Sequence, residues 1–137
     1  MKNKECIFCK IVKKEASASI VYEDKDVIAF MDIHPINEGH VLVIPKKHID
    51  HFYELNEKDY LQVMTIVQNL SNKINKTFKP KRIGLVIAGF DVSHTHVHIV
   101  PMNDENDITS KKLLENKMPK FTNEQLVKSA EKIRGVK

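Results

Sequence analysis

The sequence predicts an α+β fold, a mostly antiparallel five-stranded sheet with a long helix between strands three and four. Three observations point there. Five short β-type runs are each bounded by turn residues or proline. One stretch, from Asn56 to Pro80, repeats its apolar positions at helical spacing. That stretch falls between the third run and the fourth.

The elements follow in order. Ile7, Phe8, Ile11 and Val12 recur at helical spacing and predict a short amphipathic helix around 6–14. "SIVYE" and "VIAFMD" read as strands separated by the turn-like Asp24-Lys25-Asp26, and "HVLVIP" is a third, closed by Pro45. Asn56 is the expected N-cap of the long helix. Tyr60, Met64, Val67, Ser71, Ile74 and Phe78 run along one side of it, and Pro80 stops it. "RIGLVIAG" and "HTHVHIVP" supply strands four and five. After Pro101 the chain turns polar. A last helix is expected after Thr122, where Thr122 and Gln125 make a capping box and Gly135 marks a C-terminal stop.

A length of 137 residues predicts one domain, 1–137, with its core over about 5–101 and a tail over 102–137. Fractions of 42% hydrophobic and 29% charged residues are ordinary for a soluble globular protein. No signal peptide reads from "MKNKECIFCKIVKKE", and no run is apolar enough to span a membrane, so the expected location is cytoplasmic. A formal charge of +4 suits a phosphate-bearing small ligand. The lysines are scattered rather than gathered on one face, which argues against nucleic acid as a partner.

The segment with most chemistry is "FDVSHTHVHIVPM", residues 90–102. His94, His96 and His98 stand at alternate positions, so on a strand they share one face at roughly 6–7 Å spacing. Thr95, Val97 and Ile99 then take the other face, toward the core. Three readings compete. Partly exposed polar residues on an amphipathic strand would explain one histidine better than three. A His-x-His pair can chelate a catalytic zinc, although no His-x-His-x-Asp-His pattern accompanies it. Covalent catalysis uses the single file most fully: His96 attacks a phosphoryl centre, and its neighbours hold the ring and the phosphate oxygens.

"HTHVHIV" resembles the His-x-His-x-His-x-x signature of the histidine triad (HIT) family, with Thr95 the one polar departure. "CIFCKIVKKE" and "VYEDKDVIAFMDIHPINEGHVLVIPKKHI" resemble the same family in order and spacing, so the likeness covers about residues 5–101. It implies a hydrolase that cleaves a P–N, or P–O, bond at the α-phosphate of a purine nucleoside monophosphate derivative. His96 would carry the nucleotidyl group and His98 would contact the phosphate. Asp32 would accept the ribose hydroxyls. Ile7, Phe8, Phe30, Ile33 and Leu42 would wall the base pocket. The partners implied are a purine nucleotide or nucleoside phosphoramidate and a second copy of the chain, as a homodimer. Where many members carry a Gly-Gln-Ser loop beside the nucleotide, this sequence has Gly89-Phe90-Asp91-Val92-Ser93. Gly89 and Asp91 are expected beside the nucleotide. Phe90 cannot hydrogen-bond a leaving group, and an ionised Asp91 would repel phosphate, though as an acid or through a water it could protonate an amine. A nucleotide-binding module with little turnover, or a zinc-dependent metallohydrolase, are the alternatives.

Cys6-x-x-Cys9 allows a redox pair, a buried apolar pair, or half of a four-ligand zinc site. The resemblance supplies the other half: His48 in "PKKHI" and His94, the first histidine of the triad. Zinc would then be structural, tying the N-terminal helix to the catalytic segment. His34, His40 and His51 receive no role.

Overall fold

Val27–Met31 and Val41–Pro45 are buried at every position, as strands covered on both faces must be. They are β2 and β3 of a sheet that also contains β1 (Ile20–Glu23), β4 (Arg82–Val86) and β5 (Val97–Met102). This is a computed structural model, and it describes residues 5–108 and 119–136. The five strands lie in the order β1-β2-β3-β5-β4, and every neighbouring pair is antiparallel. The long helix α2 (Glu57–Phe78) connects β3 to β4, as expected. It starts at Asn56, whose side chain accepts the Asp59 N–H, and ends at Lys79 in the left-handed region, φ 51°, just before Pro80.

Period-two alternation sends one set of side chains to each face. Val27, Ala29, Met31, Val41, Val43, Val97 and Ile99 form the main core with Val63, Val67, Leu70 and Ile74 of α2. Among the described residues a further helix, α3 (Asn123–Gly135), adds Leu126, Ala130 and Ile133 to that core. On the opposite face Ile28, Phe30, Leu42 and Ile44 meet Cys6, Phe8, Cys9 and Ile11 around α1 (Ile7–Val12). The histidine face of β5 belongs to this second side, because His98 pairs with Leu42.

Four local expectations are corrected. Helix α1 ends at Val12, and Lys14 lies beyond it in the left-handed region, φ 65°. β5 starts at Val97, so His94 and His96 precede the strand. The Thr95 N–H leaves the sheet ladder and donates to Ile49 O at 2.7 Å. The buried Thr95 hydroxyl lies 2.8 Å from the same carbonyl and 3.1 Å from Asp50 O, so the polar departure in the triad is a tie to the segment after His48. The Thr122 and Gln125 capping box does form, but Gly135 is the last helical residue and has no positive φ. Val136 leaves the helix in extended conformation instead. Gly39 does need its freedom: at φ 95°, a Cβ there would lie 2.6 Å from the Phe78 ring. That close approach presses the β2–β3 loop against the end of α2.

Candidate active site and metal centre

Among the described residues, two clusters of ligand-type side chains lie at the histidine end of the sheet. The first is Cys6, Cys9, His48 and His94, whose donor atoms all lie within 4.8 Å of one another. Cys6 is the N-cap residue of α1, and its sulfur accepts the Cys9 N–H at 3.4 Å. His94 Nδ1 stands 3.5 Å from Cys6 Sγ and 3.6 Å from Cys9 Sγ, and His48 Nδ1 is 3.2 Å from Cys9 Sγ. The other His94 nitrogen, Nε2, donates to Pro45 O at 2.8 Å. A carbonyl can only accept, so Nε2 carries the hydrogen and Nδ1 turns its lone pair to the thiols. The Pro45 carbonyl thereby fixes the tautomer and the orientation of an imidazole able to ligate a metal. Burial holds His94 neutral, with a pKa lowered to about 4 despite the opposing Pro45 carbonyl. Two thiols and two imidazoles fit a tetrahedral soft-ligand site. Burial, with the neighbouring Cys6, pushes the Cys9 thiol up to about 11. A metal there must therefore displace thiol protons.

His96 sits beside this cluster and is buried. Its Nδ1 donates to His94 O at 2.7 Å, which in the neutral ring leaves the lone pair on Nε2. Phe8 meets the His96 ring edge-on at 5.1 Å and the Phe30 ring at 5.4 Å. His98 follows, its ring centroid 5.0 Å from that of His96.

The second cluster is Asp32, His40 and His98. Its proton order follows from one backbone bond: the Ile36 N–H donates to His40 Nδ1 at 3.0 Å. Neutral His40 therefore carries its hydrogen on Nε2. That N–H lies 2.9 Å from His98 Nδ1 and 3.3 Å from Asp32 Oδ2. The shorter contact makes His98 Nδ1 an acceptor and puts the His98 hydrogen on Nε2. Burial lowers the pKa of both rings, His98 to about 4, against the opposing charge of Asp32. A cation on this cluster would need the lone pair that the His40 hydrogen occupies. The cluster thus orders protons, whereas the cysteine cluster presents lone pairs.

The remaining expected residues divide. Phe8, Phe30 and Leu42 are buried in the second core, but Ile7 and Ile33 are exposed. Asp32 accepts the His34 N–H on Oδ1 at 2.8 Å, and its Oδ2 faces His40. Gly89 turns its loop at φ 87°. Asp91 is exposed, yet close enough for its charge to raise the pKa of His98. Phe90 is 98% exposed. Sequence reasoning gave His40 no role. The alternation of β3 puts His40 on the face of Leu42, but only the pairing of Leu42 with His98 makes that position meaningful.

An open antiparallel sheet crossed by one long helix, with imidazoles gathered where its inner strand begins, defines the class of α+β protein to which this chain is assigned. Residues 13–105 match the family model of the HIT domain, and the chain belongs to that family. It is 38% identical over 104 residues to an uncharacterized HIT-like protein of Borreliella burgdorferi, covering 71% of this chain and 75% of that protein. It is 35% identical over 105 residues to the adenosine 5′-monophosphoramidase hnt1 of Schizosaccharomyces pombe, covering 73% and 76%. A HIT-like protein of Bartonella henselae, described as involved in cell-cycle regulation, superposes with a TM-score of 0.81 at 31% identity over 98% of both chains.

Proposed function

We propose that this chain is a nucleotide hydrolase that cleaves a phosphorus–nitrogen bond at the α-phosphate of a purine nucleoside monophosphate derivative. The observation that carries the reading is the hydrogen bond from His96 Nδ1 to His94 O, which leaves Nε2 as a buried, oriented nucleophile. In the first step Nε2 forms a bond to phosphorus, the P–N bond to the amine breaks, and the departing nitrogen takes a proton from solvent. Water then attacks phosphorus and gives a proton back to solvent, the bond to His96 breaks, and the nucleoside monophosphate leaves. His98, neutral with its hydrogen on Nε2, donates to a phosphate oxygen as charge moves through the transition state. Asp32 keeps lone pairs for the ribose hydroxyls, and Phe8, Phe30 and Leu42 offer the apolar surface for the base. Likeness to the S. pombe adenosine 5′-monophosphoramidase supports the substrate class. The exposed Asp91 carboxylate disfavours an anionic leaving group and suits an amine.

The first cluster is read as a structural zinc site held by Cys6, Cys9, His48 and His94; zinc bound there supplies a cross-link between α1, the segment after β3 and the start of the triad. The free cysteines suit a reducing compartment such as the cytoplasm. A second copy of the chain is the expected protein partner, docking on the open side of β4 and α2.

An adenosine 5′-phosphoramidate with a fluorescent amine tests the reading. Amine release by the wild type should fall by at least about 10³-fold in His96→Ala, with adenosine monophosphate still bound. Equal rates in the two proteins would remove the covalent mechanism. Binding without turnover in the wild type would make the chain a nucleotide-binding module.

A further inference from the structure

The proton order of the second cluster hangs on a loop, residues 32–40, that leaves β2 and returns to β3. Asn37, near its tip, reaches across 64 positions of sequence to β5. Its side-chain amide donates to Pro101 O at 2.8 Å and to Asp107 Oδ2 at 2.9 Å. Asp107 is 2% exposed and closes a short 3-10 turn, Glu105–Asp107. The same carboxylate oxygen accepts the Asn103 N–H at 2.9 Å and the Asp104 N–H at 3.1 Å. One buried oxygen thus gathers three N–H groups, and a buried carboxylate kept on such donors is costly to disturb.

The other side of Asn37 faces the histidines. Its backbone carbonyl accepts the His40 N–H at 3.3 Å. The preceding residue supplies the Ile36 N–H that takes His40 Nδ1 at 3.0 Å. The loop is pressed on its far side by the Gly39 contact with Phe78, and Ser129 of α3 lies 3.4 Å from Glu38 Oε2. Asn37 thus joins the chain beyond the triad to the Ile36-Asn37 turn, which presents one N–H and one carbonyl to His40.

We propose that Asn37, clamped by the Asp107 carboxylate, is a positioning residue that fixes the hydrogen on His40 Nε2 and thereby on His98 Nε2. Without the clamp the Ile36 N–H can swing away from His40 Nδ1, and the His40 hydrogen is free to move there. His98 would then donate from Nδ1 and turn a lone pair, rather than an N–H, to the phosphate. This inference rests on the reading that His98 donates to phosphate, but its first readout does not.

Long-range 15N–1H imidazole spectra report which ring nitrogen carries hydrogen. The wild type should show His40 and His98 both protonated at Nε2, and Asn37→Ala should shift both rings toward Nδ1–H. On a phosphoramidate substrate the same variant should lose about tenfold in kcat with KM nearly unchanged. Asp107→Asn keeps size and an acceptor oxygen and should shift both readouts in the same direction by less, which guards against a misfolded alanine variant. Val67→Ala, which loosens the main core away from the loop, should lower Tm and leave the tautomers alone. Wild-type tautomers in Asn37→Ala and Asp107→Asn, an Nδ1–H form of His98 in the wild type, or an equal shift in Val67→Ala would each overturn the proposal. Absence of turnover in a wild type with the expected tautomers would count against the hydrolase reading and leave the clamp standing.

Discussion

His94 faces two ways. Its ring lies among the thiols, and its carbonyl holds Nδ1–H of His96. One residue thus joins the cysteine cluster to the proposed nucleophile. Its neighbour Thr95 is buried because its hydroxyl reaches Ile49 and Asp50, so a polar residue suits a position where the family signature leads one to expect an apolar one. The histidines also set an acid limit. His98 and His40 have pKa values below the free-imidazole value because the folded state buries them. Between pH 6.5 and about 4 the unfolded chain therefore binds more protons, so stability is fully present above 6.5 and falls with pH below it. The His98 shift to about 4 corresponds to a loss of up to about 3 kcal/mol. Urea titrations across that window should show the decline, with a shallower slope for His98→Gln; an unchanged slope would remove His98 as its source. Spacing singles out His96, His98 and the cysteine pair as candidates, because alternate positions and a Cys-x-x-Cys step can be seen within a few residues. His40 was illegible: its partner in the fold is 58 positions away.

Helix α1 has only six residues, too few to be stable by its own hydrogen bonds. Its place depends on the buried Phe8, Cys9 and Ile11 and on what holds Cys6 and Cys9. If zinc is that tie, protein purified without chelator should carry about one zinc per chain. Chelation should then strip hydrogen-exchange protection from residues 7–12 first and lower Tm, while leaving β2 and β3 protected. Metal-free protein with full protection of α1 would overturn the structural-zinc reading. The raised Cys9 pKa gives the linkage its sign: binding releases thiol protons, so affinity rises with pH. Helix α2 was legible almost to the residue, from Asn56 to Pro80, since its start and stop signals both act locally. The segment expected as a tail contains α3, whose Leu126, Ala130 and Ile133 are buried in the main core.

Across the whole molecule, the sheet ends unpaired on the β4 side among the described residues. There Leu85 of β4 is 48% exposed and Leu61 of α2 is 53% exposed. Met64, Val67, Ile83 and Leu85 line a groove between this strand and that helix. An open edge beside an apolar helix face is a surface that proteins usually cover. On the homodimer reading, light scattering should find twice the chain mass for wild type and a monomer for Leu85→Glu. A monomeric wild type would end that reading. Alternation, capping and short spacings are written within a few residues, and they suffice to place the long helix and, apart from the start of β5, the strands, and to single out the triad histidines and the thiols as candidates. Only the folded chain brings Thr95 to Ile49, sets His40 against His98 Nδ1 and carries Asn37 to Asp107. Those outcomes depend on strand register and on contacts between distant segments, and no local pattern encodes either.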